Sequence, residues 1–66
     1  MSNWRDVVVN WSSKYPGKTM FYMYVHDYPY VRDVLTIQEY DLTVQAAAKE
    51  AIKHKERVDP YAYDSL

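Results

Sequence analysis

Residues 20–26 read Met-Phe-Tyr-Met-Tyr-Val-His, and this stretch decides which fold the sequence predicts. Its aromatic and β-branched residues favour a strand, in which successive side chains point to opposite faces. One face would carry Phe21, Met23 and Val25, and the other would carry Met20, Tyr22, Tyr24 and His26. In a chain of 66 residues, the single predicted helix can cover only one face of the sheet. We therefore expect the second, aromatic face to be left for water or for a partner.

Two further strands and one helix complete the predicted fold. The β-branched centre of residues 4–11 indicates a first strand, and Pro16 followed by Gly17 suits a type II turn into the strand at 19–26. Pro29 marks a second turn before a third strand at 31–40. Apolar residues at helical spacing predict a helix over 43–56, whose buried side is formed by Val44, Ala47, Ala48, Ala51 and Ile52. The predicted fold is α+β: a three-stranded antiparallel sheet with one helix packed on one face, in the order β-β-β-α.

Three points of this prediction stay open. Thr36-Ile37-Gln38-Glu39 matches a capping box, so the helix could begin near Ile37 rather than after a third strand. Either Asp41 or Thr43 can cap the helix over 43–56. The tail at 59–66 could add a short C-terminal edge strand or remain frayed. We expect residues 1–66 to form a single small domain.

Composition excludes several classes of protein. Eight basic and nine acidic residues give a formal charge of −1, which argues against general nucleic-acid binding, since such binding relies on a basic surface. The chain has no cysteine, so disulfides and thiolate zinc sites are excluded. No secretory leader is recognisable and no apolar run approaches the roughly 20 residues of a membrane span. We expect a protein without membrane contact, located in the cytoplasm, or in the host cell cytoplasm if the chain is viral.

Catalytic and cofactor motifs are not recognisable in the sequence. It contains no glycine-rich phosphate loop and no nucleophile in a known arrangement. Glu50 and His54 are one helical turn apart, but two ligands do not complete a metal site. We predict that the chain is not an enzyme and that it binds no metal or cofactor.

Tyrosine is over-represented, with eight copies in 66 residues, and it suits surfaces that are both soluble and adhesive. The predicted partner-binding residues are Trp4, Tyr22, Tyr24, His26, Tyr30 and Arg32. The predicted function is a non-enzymatic protein-binding module that blocks a partner sterically. One alternative is a structural homo-oligomer, such as a homodimer, that pairs through the same face. Another alternative is a single-stranded nucleic-acid binder, in which the aromatic rings would stack on bases.

Residues 41–51 read Asp-Leu-Thr-Val-Gln-Ala-Ala-Ala-Lys-Glu-Ala and follow the predicted strands. This order resembles that of small phage-encoded host-takeover proteins, in particular the short RNA polymerase inhibitors of podophages. The resemblance implies a small sheet with one helix and a role as an inhibitor or modulator of a host protein complex. The contact residues of that family have no identifiable counterparts here, so no residue role follows from the resemblance.

Overall fold

A computed structural model describes residues 3–58 of the chain, and within this range the fold is mostly helical. It contains three α-helices: α1 (Met20–His26), α2 (Tyr28–Asp33) and α3 (Leu42–Val58). Two short strands, β1 (Val8–Val9) and β2 (Lys18–Thr19), form an antiparallel pair. Short 3-10 helices cover Trp4–Asp6 and Leu35–Ile37. The predicted three-stranded sheet with one helix is therefore wrong.

The predicted strand at 19–26 is a helix because of two local features. The Thr19 side chain accepts a hydrogen bond from the backbone N–H of Tyr22, with 3.1 Å between the atoms, and so caps the first turn of α1. Met20 and Met23 are fully buried, and a spacing of three residues is helical. Phe21 and Val25, which the strand prediction turned inward, are exposed. The stretch buries one narrow stripe instead of one face of a sheet.

The predicted strand at 31–40 is also wrong. Asp27 accepts a hydrogen bond from the N–H of Tyr30 and caps α2, and Pro29 lies in the first turn of that helix, where its missing N–H is harmless. Val31 and Leu35 are buried, again at a helical spacing. The predicted first strand at 4–11 shrinks to Val8–Val9, because Asn3 caps the 3-10 helix that precedes it.

Two local predictions are confirmed. The turn before β2 has a backbone hydrogen bond from Lys18 to Tyr15, and Gly17 adopts a positive φ of 74°. The helix predicted over 43–56 is α3, and its backbone N–H at Val44 bonds to the carboxylate of Asp41 at 3.2 Å. Asp41 is therefore the residue that caps α3.

The core lies where α1, α2 and the 3-10 helices pack against one side of α3. Its buried apolar residues are Val9, Met20, Met23, Val31, Leu35, Val44, Ala47, Ala48 and Ala51. The small alanines of α3 allow the short helices to approach its axis closely. Within residues 3–58 no helix is long and apolar enough to cross a membrane. The prediction of an edge strand in the tail at 59–66 lies outside the described residues.

Candidate protein-binding surface

The outward side of α1 carries apolar and aromatic residues in place of the charged residues usual on a surface helix. Because successive residues of a helix are about 100° apart, burial of Met20 and Met23 turns the opposite side to solvent. The outward residues are Phe21, Tyr22, Val25 and His26, and we call this set the α1 face. Phe21 is 45% exposed, Tyr22 37% and Val25 57%. Contiguous exposed apolar side chains of this kind are typical of interaction sites.

A first group of rings borders the α1 face on the side of the N-terminal 3-10 helix. The ring of Trp4 lies edge-on to Tyr24, with 5.2 Å between centroids, and 6.5 Å from the ring of Phe21. His54 of α3 lies 5.6 Å from Trp4 and 5.9 Å from Tyr24. Tyr28 meets Tyr24 edge-on at 5.7 Å. We call Trp4, Tyr24, Tyr28 and His54 the Trp4 cluster. Half-buried rings in these geometries fix α1 against α3.

A second group of rings borders the α1 face on the hairpin side. Tyr15 lies edge-on to Tyr22 at 6.0 Å and edge-on to Tyr30 at 5.6 Å. Tyr22 in turn contacts the ring of His26 at 4.4 Å. The hydroxyl of Tyr30 shares a 2.7 Å hydrogen bond with the buried hydroxyl of Ser12. We call Tyr15, Tyr22 and Tyr30 the Tyr15 cluster.

Asp27 ties the Tyr15 cluster to the junction between α1 and α2. Its carboxylate accepts hydrogen bonds from the ammonium of Lys14 at 2.6 Å and from the hydroxyl of Tyr15 at 2.9 Å. The hydrogen bond from Lys14, followed by that from Tyr15, lowers the pKa of the Asp27 carboxyl. The same contacts raise the pKa of Tyr15 and of Lys14, since each is held in its protonated form by the carboxylate. The hairpin loop is thereby fastened to the start of α2.

Cations stand over rings of both clusters. The distance from the charged group to the ring centroid is 4.6 Å for Arg5 over Trp4, 5.0 Å for Lys18 over Tyr22 and 5.2 Å for Lys55 over Tyr28. Attraction to the electron-rich faces of the rings holds these flexible side chains at the rim of the α1 face. The surface therefore combines an apolar centre with a positively charged edge.

The structure does not bring the six predicted site residues together on one face. Trp4 and Tyr24 belong to the Trp4 cluster, whereas Tyr22, His26 and Tyr30 lie on the hairpin side. The guanidinium of Arg32 binds the neighbouring Asp33 at 2.9 Å. The single sheet face proposed for these residues is wrong, because residues two apart point about 200° apart on a helix.

Phe21 and Val25 lie at the surface, although the sequence pattern predicts them on the inward face of a strand. The place of Tyr15 between two other rings and the position of Lys55 over Tyr28 are not predicted by the sequence pattern either. The signal available was the three-residue spacing of Met20 and Met23 directly after Thr19, a residue that commonly caps helices.

An open groove lies on the other side of Trp4. It has a volume of about 700 Å³ and is lined by Asn3, Trp4, Val7, Leu42, Thr43, Ala46, Ala47 and Glu50. Glu50 is the one acidic side chain among these residues, and no basic residue accompanies it there. Among the residues that the structure describes, no group of three or more histidine, aspartate or glutamate side chains could hold a metal ion. The described lining of the groove therefore offers mainly apolar contact.

Comparison of the chain with protein-family models, with curated proteins and with solved structures finds no match. The interpretation of the α1 face accordingly depends on its own geometry.

Proposed function

We propose that the chain is a small non-enzymatic protein-binding module and that the α1 face is its contact surface. The observation that carries this proposal is the exposure of Phe21, Tyr22 and Val25 side by side on one helix. Rings cluster on both sides of these residues and hold the helix in place without covering it. A rigid apolar centre of this kind, surrounded by polar groups, is the usual anatomy of an interface.

The apolar contacts alone would give weak binding. Full burial of a valine or phenylalanine side chain contributes about 1.5–3 kcal/mol. Since Phe21 and Val25 are each about half exposed, each can gain about 1 kcal/mol from a partner. Their sum of about 2 kcal/mol falls short of the roughly 4 kcal/mol that corresponds to a millimolar dissociation constant. The module therefore needs either a larger contact around the α1 face or an additional attraction at its rim.

The test is affinity capture of partners from a cell lysate, in which the wild-type chain is compared with the Phe21→Ala/Val25→Ala variant. Alanine is the best helix former, so α1 should remain folded while its apolar surface is reduced. We expect the wild-type chain to retain a partner that the double variant loses. The matched control is Ile37→Ala, which truncates a side chain that is 68% exposed outside the α1 face. Retention of the same proteins by all three chains, with native circular dichroism spectra, would refute the proposal.

Sedimentation and oligonucleotide binding test the two alternative functions, the homo-oligomer and the nucleic-acid binder. Sedimentation of a dimer that the double variant converts to a monomer would mean that the partner is a second copy of the chain. Retained oligonucleotide with steep salt dependence would favour the nucleic-acid binder. The narrower prediction of a phage-encoded inhibitor depends on the resemblance of residues 41–51 and of the predicted strand–helix order that precedes them, and the sheet-and-one-helix fold that the resemblance implied is not the fold of this chain.

A further inference from the structure

We infer that the segment bound at the α1 face is acidic, with an apolar side chain flanked by carboxylates. This inference rests on the proposed function, because it names the chemistry of the partner at the same surface. Its basis is the set of cations around the α1 face and their lack of carboxylate partners among the described residues. We call Arg5, Lys18 and Lys55 the rim cations.

The rim cations stand on opposite sides of the α1 face. Arg5 and Lys55 lie over rings of the Trp4 cluster, and Lys18 lies over Tyr22 of the Tyr15 cluster. Each ring lowers the mobility of the cation above it, so less conformational entropy is lost when an anion binds. A partner segment that crosses α1 would therefore meet a positive group on both sides of its apolar contact.

Within residues 3–58 no carboxylate oxygen lies within 4.0 Å of the charged nitrogens of the rim cations. The guanidinium of Arg5 does contact the side-chain oxygen of Asn3 at 3.4 Å and the ring of His54 at 3.4 Å, but neither group is an anion. Three other basic residues are already engaged: Lys14 binds Asp27, Arg32 binds Asp33 and Lys53 lies 3.8 Å from Glu50. Lys49 and Arg57 are exposed on α3, and neither stands over a described ring.

The carboxylates closest to this surface in the sequence leave the positive charge largely uncompensated. Asp27 binds Lys14 and Tyr15, and Asp6 follows Arg5 on the exposed 3-10 helix and forms no ion pair with any residue between 3 and 58. The whole chain has a net charge of −1, so the positive charge here is a local arrangement and not a property of the whole chain. Local charge of this kind selects a partner of opposite sign at the same place.

A peptide fits this surface better than a nucleic acid does. Bases need free ring faces on which to stack, but the rings of Trp4 and Tyr22 already have cations over them. The rings of each cluster also meet one another at steep angles, 70° for Trp4 and Tyr24 and 63° for Tyr15 and Tyr22, so they offer no continuous platform. The net negative charge of the chain further disfavours a polyanion with evenly spaced charges.

The test uses three fluorescent probes: a short peptide that alternates glutamate with leucine and phenylalanine, the same peptide with glutamine for glutamate, and single-stranded oligothymidine. We expect the glutamate peptide to bind most tightly to the full chain and to weaken as salt is raised. Substitution of Lys18→Gln or Lys55→Gln should each weaken its binding by up to about fivefold, and the double variant by about tenfold or more. The matched control Lys49→Gln/Lys53→Gln makes the same change in net charge and should leave binding within about twofold.

Equal binding of the glutamate and glutamine peptides, or equal losses in the rim and control variants, would overturn the inference. Tighter binding of oligothymidine than of the glutamate peptide would also overturn it, as would the absence of binding by any probe. These failures are distinguishable from failure of the proposed function, which is decided by lysate capture with Phe21→Ala/Val25→Ala. A partner lost by that variant and retained by Lys18→Gln/Lys55→Gln would leave the α1 face in place and remove its preference for acidic segments.

Discussion

Replacing Met23 and Val25 separately with alanine distinguishes the helix at 20–26 from a strand. The two residues are two apart, so a strand would place them on the same face and bury them together. In α1 they point in different directions: Met23 is fully buried, whereas Val25 is 57% exposed. The two truncations should therefore differ greatly in their effect on the free energy of unfolding.

The magnitudes follow from burial. Truncation of a buried methionine to alanine costs about 2–5 kcal/mol, and because Met23 sits in the centre of the core we expect about 3 kcal/mol. Truncation of Val25 removes side-chain atoms that are mostly in water, and alanine is the better helix former, so the change should stay within about 0.5 kcal/mol. The difference between the two variants is then about 2.5 kcal/mol or more.

Urea unfolding at 25 °C, followed by the fluorescence of Trp4 and Trp11, measures both changes. A chain of 66 residues has a total stability of about 3–10 kcal/mol, so Met23→Ala can be largely unfolded before urea is added. Met23→Leu keeps the volume of the side chain and should lose less than about 1.5 kcal/mol, which gives a folded reference at the same position. Equal losses for Met23→Ala and Val25→Ala would refute the helical assignment of this stretch.

Three other predictions concern the caps, the turn and acid stability. Thr19→Ala should lower the free energy of unfolding by about 1 kcal/mol because it removes the cap of α1, whereas Thr43→Ala, on an exposed position of α3, should be neutral in the same urea experiment. Gly17→Ala should cost about 1–2 kcal/mol because of its positive φ, although a Cβ there would meet no atom within 4 Å; unchanged stability in thermal unfolding would contradict this reasoning. Hydrogen bonds from Lys14 to Asp27 and from Trp11 to Asp41 lower the pKa of both carboxyls. Because each carboxyl has a lower pKa in the folded chain than in the unfolded chain, this stabilisation is complete above about pH 4 and is lost as the pH falls through the lowered pKa values. The free energy of unfolding measured between about pH 2 and 6 should therefore depend less on pH in Asp27→Asn than in the wild-type chain.

The parts of the fold that sequence predicts are those in which local signals agree. Around α3, the apolar spacing from Val44 to Ala51, the high helix propensity of alanine and the cap at Asp41 all indicate a helix. At the hairpin turn, Pro16 and Gly17 each satisfy one conformational requirement of the turn. No long-range contact is needed to favour either element.

The strand prediction for residues 20–26 is wrong because the apolar residues of this stretch fit both the two-residue spacing of a strand and the spacing of a helix. Phenylalanine, tyrosine and valine favour strands, and the apolar side chains fall on alternate positions as well as on every third. The choice is made by packing of Met20 and Met23 against α3 and by a cap at Thr19, and these contacts depend on the whole fold. The predicted grouping of the site residues is wrong for the same reason: Trp4, Tyr24 and Tyr30 are half-buried and pack against the core instead of sharing one exposed sheet face.

The double role of Asp27 has a consequence for changes in chain length. Its backbone N–H donates the last hydrogen bond of α1 to the carbonyl of Met23, and its side chain caps α2 by accepting a hydrogen bond from the N–H of Tyr30. Asp27 is therefore the single residue between the two helices. One inserted residue at this junction would turn α2 by about 100° around its axis and carry Val31 from the core to the surface. Substitutions on the outer surfaces of both helices leave the core intact, even where they change the α1 face, but an insertion or deletion at the junction would disrupt the packing of α2 against the rest of the core.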